Sequence, residues 1–127
     1  MHPIAIFVAT RWELQAVQQA IVTDRVTTVA GVRCQIGQHG QRAYWLIQTG
    51  VGPAAASAVA EKVLQAQPMS LVISTGFVCA LIPAQVGDLI VGTAVSSVPS
   101  DGAGAMGHDS MLCDEDVRSG LLAVAQD

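Results

Sequence analysis

Charge is scarce in this chain, and positive charge is scarcest. Only 13% of residues are charged, the net charge is −4, and Lys62 is the single lysine. No Lys/Arg cluster exists to follow a phosphate backbone, which excludes a nucleic-acid surface. Aromatic residues are equally few, at 4%, and Trp12 and Trp45 read as core or interface residues rather than base-stacking platforms. The cysteines Cys34, Cys79 and Cys113 are odd in number and widely spaced, so they form neither a disulfide framework nor a CxxC pair. Their pattern implies a reducing compartment. Long hydrophobic runs are missing too. "LVISTGFVCALIPA" is broken by Gly76 and Pro83 and falls short of the ~20 residues a membrane helix needs. The opening "MHPIAIFVATRWE" lacks a basic leader, and Arg11 and Glu13 stop its apolar run, unlike a signal peptide. The expectation is a soluble cytoplasmic protein with no membrane partner.

What the chain has is apolar mass. It is 51% hydrophobic over 127 residues, enough to bury a core as one domain covering residues 1–127. With so little charge, part of the apolar surface is expected to lie against a partner.

"IAIFVA" (4–9) is continuously apolar, the pattern of a strand buried on both faces. Thr10 and Glu13 then spell T-x-x-E, a capping box that opens a helix over 11–21. From Val26 to Gln48 the pattern is strand-like, with "GVRCQIGQ" and "RAYWLIQ" flanking a turn at "HGQ". Pro53 suits a first helical position, and the helix it opens runs to about Gln67, where Pro68 stops it. "LVIST" is a second buried strand and "DLIVGTAV" a third. Ser96 to Cys113 reads as a mobile loop, and a last helix begins near Asp114 or Glu115. Strands alternating with helices imply an α/β fold, with a largely parallel sheet and an antiparallel hairpin.

Between "AYWLIQ" and the second helix lies "TGVGPAAASAVAEKVL", which nearly spells a dinucleotide fingerprint. That fingerprint requires an acid about 20 residues on, at the end of the next strand, to hold ribose hydroxyls. From Ser70 to Val86 there is no Asp or Glu, so dinucleotide binding is rejected. Two readings stay open: Gly50, Val51 and Gly52 present N–H groups to an anion or a sugar hydroxyl at a helix N-terminus, or they merely make a tight turn. "GHDSMLCDED" gathers His108, Asp109, Cys113 and Asp114, but the spacing matches no closed zinc pattern. No metal and no cofactor are expected.

Three segments in order, "IAIFVATRWELQAV", "TGVGPAAASAVAEKVL" and "LVISTGFVCALIPAQVGDLIVGTAV", resemble the N-terminal half of the nucleoside phosphorylase and nucleosidase superfamily. That superfamily includes methylthioadenosine/adenosylhomocysteine nucleosidases, futalosine hydrolases and purine nucleoside phosphorylases. The resemblance implies a three-layer α/β/α fold with a mixed, mostly parallel sheet, here truncated, and a homodimer or larger homo-oligomer. It implies a purine nucleoside as the small-molecule partner, with Ala9, Thr10, Gly50, Val51 and Gly52 on the sugar side and Gly76, Phe77, Val78 and Cys79 along the base. Phe77 either stacks on the base or belongs to the core.

The resemblance implies that Glu13 occupies the place where hydrolytic members activate water, whereas related phosphorylases carry a phosphate-holding arginine. A carboxylate repels phosphate and accepts a proton, so cleavage of the N-glycosidic bond is expected to be hydrolytic. The competing reading of Glu13 is a helix cap and nothing more. By the same resemblance, a Glu-Met-Glu segment for the ribose hydroxyls and an aspartate that protonates the leaving base belong to a C-terminal half absent from these 127 residues. A catalytically incomplete fragment that only binds or assembles is therefore the alternative.

Overall fold

Ile4–Val8 forms β1, and all five of its residues are buried. In the computed structural model, which describes residues 1–97 and 110–125, this strand lies inside a five-stranded sheet. Helix α1 (Arg11–Ala20) follows. A meander of β2 (Thr23–Val29), β3 (Val32–His39) and β4 (Arg42–Gln48) comes next, then α2 (Pro53–Ala66) and β5 (Leu71–Ser74). The strand order is β2-β3-β4-β1-β5. β1 runs parallel to β4 on one side and β5 on the other, while β2, β3 and β4 are antiparallel.

The sheet is thus mixed, as the sequence implied, with one more antiparallel strand than the expected hairpin supplied. The added strand enters through a two-residue turn at Ala30 and Gly31, both at positive φ (49° and 81°), as a type I′ hairpin turn requires. Ala-Gly is a weaker turn signal than Asn-Gly, so the strand-like pattern from Val26 onward carries no clear break between β2 and β3.

Alternation along β1 divides the core in two. Ile4, Ile6 and Val8 pack with Leu46 and with Leu14, Val17 and Ile21 of the α1 segment. Ala5 and Phe7 point the other way, with Cys34, Ile47 and Val63 of α2. The helices cover opposite faces, which makes three layers. Burying both faces of β1 explains its uninterrupted apolar run.

The chain forms two compact units, Met1–Cys79 and Ala80–Asp127. The second contains β6 (Ala94–Ser96) and β7 (Ser110–Leu112), paired antiparallel, and α3 (Glu115–Ala125). Two expectations need correction. "LVIST" forms strand β5, but none of Leu71–Ser74 is buried, and Val72 is 48% exposed. "DLIVGTAV" is not a buried strand: only Ala94 and Val95 of it lie in β6, and Leu89, Ile90 and Val95 are exposed. Within its own unit, the described strand pairing of this segment is β6 with β7 alone. The loop expected over Ser96 to Cys113 falls largely outside the described residues, as do His108 and Asp109.

Candidate functional site

Three parallel strands end at the same edge of the sheet. Val8 is level with Gln48, and Phe7 with Ser74. The residues just beyond extend the ladder: the Thr49 N–H donates to the Val8 carbonyl (2.8 Å), Gly50 N–H to Ala9 (3.1 Å) and Thr75 N–H to Phe7 (3.1 Å). The loops Ala9–Thr10, Thr49–Gly52 and Thr75–Val78 are therefore held side by side at the carboxyl ends of the strands, where open α/β sheets bind ligands. Gly50 (φ 89°) and Gly52 (φ 100°) take the left-handed backbone that lets the second loop double back into α2. A cavity of about 320 Å³ lies among these loops.

Of the residues singled out in the sequence, Ala9, Glu13, Gly50, Gly52, Gly76, Phe77 and Val78 line this cavity. Thr10 packs on Glu13 instead. Val51 is 78% exposed, and Cys79 is exposed; neither lines the cavity. Phe77, 72% exposed, is not a core residue and lines the cavity. Trp12 is also outside the core, 64% exposed with the Arg11 guanidinium 5.1 Å from its ring centroid. Phe7, Val8, Thr49, Ala56, Ser74 and Thr75 also line the cavity and were not singled out in the sequence. Ser74, Thr75 and Thr49 were findable in principle, since each ends or follows a parallel strand.

Glu13 is the one buried charged residue among the described residues. Its two oxygens have different partners. Oε1 accepts the Thr10 N–H (2.8 Å), the Thr10 hydroxyl (2.9 Å) and the Ala9 N–H (3.2 Å), while the Glu13 N–H donates back to Thr10 Oγ1 (3.3 Å). This is the expected capping box. Oε2 reaches across to the third loop and accepts the Phe77 N–H at 2.9 Å. Glu13 is thus a helix cap and a cavity residue at once, one oxygen serving each. Burial pushes its pKa up, but the Phe77 N–H, the Thr10 hydroxyl and the Thr10 and Ala9 N–H groups outweigh that and hold it below the ordinary value of 4.5. The result is an ionised carboxylate at neutral pH, with Oε1 saturated and Oε2 retaining acceptor capacity beside the cavity. Such a group can accept a hydrogen bond from water or a hydroxyl and stabilise positive charge nearby.

The family model of the phosphorylase superfamily matches residues 3–127, and the chain belongs to that superfamily. Solved structures agree at the level of fold. A 5′-methylthioadenosine/S-adenosylhomocysteine nucleosidase from Helicobacter pylori, with butyl-thio-DADMe-Immucillin-A, superposes with a TM-score of 0.83 at 15% identity, covering 99% of this chain and 59% of that one. The corresponding nucleosidase from Neisseria meningitidis, in complex with methylthio-immucillin-A, gives 0.81 at 16%, covering 99% and 58%. Futalosine hydrolase of Helicobacter pylori gives 0.82 at 16%, covering 98% and 58%. The chain thus spans less than two thirds of these relatives' length. Among curated proteins, none matches. No helix among the described residues is long and apolar enough to cross a membrane.

Proposed function

We propose that this chain supplies the sugar- and water-binding half of a purine nucleosidase. In this reading the ribose lies against Gly50–Gly52 and the purine against Gly76–Val78. Water is held by Glu13 Oε2 and attacks C1′ as the N-glycosidic bond breaks. Bond breaking leads ahead of attack, so positive charge develops on the sugar ring, and an anionic carboxylate stabilises it. The water proton passes to Glu13, and the departing base takes a proton from a second acid. The observation that carries the reading is the buried, ionised Glu13 with one oxygen committed to its helix and the other beside the cavity. A negative charge there disfavours phosphate, which supports hydrolysis over phosphorolysis. Oligomerisation is part of the proposal, since large apolar side chains such as Leu81, Val86 and Leu89 lie exposed.

One observation favours the binding-only alternative: among the described residues, Glu13 is the only acid or base lining the cavity, and none of them offers a second group to protonate the base. The test is incubation with methylthioadenosine, adenosylhomocysteine, inosine and futalosine, following free base with and without phosphate, alongside calorimetric binding. Phosphate-independent release that falls at least 100-fold in Glu13→Gln supports the nucleosidase. Phosphate-dependent release rejects hydrolysis. Nucleoside binding with no base released leaves the chain a binding domain.

A further inference from the structure

Two residues expected to touch substrate also make contacts that bear on Glu13. Thr10 spends its hydroxyl on Glu13 in both directions, donating to Oε1 and accepting from the Glu13 N–H. Gly76 stands where a side chain has no room: a Cβ there would lie 1.7 Å from Glu13 Oε2 and 2.8 Å from its Cδ. The carboxylate cannot easily swing aside, because three donors fix Oε1 and the next residue's N–H, that of Phe77, fixes Oε2.

We infer that Thr10 and Gly76 are positioning residues that act through Glu13, Thr10 by locking one carboxylate oxygen to the helix start and Gly76 by leaving the space that the other must occupy. This deepens the nucleosidase reading, since it says why one oxygen alone is left for the cavity, but its geometry can be tested without turnover. The physical basis is the division of labour between the oxygens. A carboxylate free to rotate about its last torsion would exchange Oε1 and Oε2 and blur the direction of its remaining lone pair. Clamping one oxygen with a hydroxyl and two amides, and seating the other against a backbone N–H, removes that freedom. A threonine that capped the helix and did nothing more would be replaceable by any residue that keeps the helix folded. A glycine that only made a turn would tolerate alanine, since Gly76 is not among the positive-φ glycines.

The experiment is carboxyl-detected NMR on the full chain labelled at glutamate. Only Glu13, Glu61 and Glu115 contribute signals, and Glu13→Gln assigns the first. In the wild type the Glu13 carboxyl carbon and the Phe77 amide proton titrate together, with a midpoint below 4.5. Thr10→Val raises that midpoint by about one pH unit, because a donor to the charged form is lost, and Thr10→Ser restores it. Gly76→Ala uncouples the Phe77 amide from the titration while the helix, read by its amide shifts, stays folded. An unchanged midpoint in Thr10→Val, or continued coupling in Gly76→Ala, overturns the inference whatever the activity. If the midpoints move as stated but no nucleoside is cleaved, the positioning stands and the nucleosidase reading fails for this chain.

Discussion

The segments "IAIFV" and "DLIVGTAV" are both apolar, yet they meet opposite fates. The first is buried throughout at the centre of a sheet with a helix on each face, whereas in the second Leu89 is 80% exposed and Ile90 53%. Composition alone would have put both in a core. The difference teaches that an apolar run is buried only where neighbouring strands complete its hydrogen bonds and side chains close over both faces.

That contrast can be broken by truncation. Leu46→Ala removes a side chain only 1% exposed and should cost about 2–5 kcal/mol in urea denaturation. Leu89→Ala should stay within about 0.5 kcal/mol. Equal losses would mean that the second segment has a packed environment after all.

A smaller effect is expected at the sheet's carboxyl edge. Glu13→Gln turns an NH₂ group toward donors and should cost about 1–3 kcal/mol at neutral pH. Because the folded pKa lies below 4.5, wild-type Glu13 contributes stability above that value, and the contribution fades as pH falls through the folded pKa. The cost of Glu13→Gln should therefore shrink as denaturation is measured at progressively lower pH below about 4.5; a cost that stays constant contradicts the ionised assignment.

Much of this architecture was legible. The capping box at Thr10 and Glu13, the helix start at Pro53 and the buried pattern of "IAIFV" each follow from local chemistry that the structure repeats. The candidate site was legible as three segments, but not as contacts. Nothing in "TGFVC" announces that the Phe77 N–H meets a carboxylate 64 residues earlier. Phe77 itself looked as suited to a core as to a surface, and only the path of the backbone after β5 decides which.

The finest test of the comparison is thiol reactivity. Cys34 is buried and its thiol pKa is raised by that burial, while Cys79 is exposed. Maleimide should label Cys79 rapidly and Cys34 only on unfolding. Rapid labelling of Cys34 in native conditions would place the sheet's interior within reach of solvent.

By itself the sequence determined the local elements, because caps, turns and the two-faced burial of a strand depend on residues close together in the chain. Which oxygen of Glu13 faces the cavity, which glycine must stay bare and which apolar run stays outside were decided only by tertiary structure. Each depends on groups brought into contact from distant parts of the chain, and parallel strands do that by aligning their ends rather than by any pattern written along one of them.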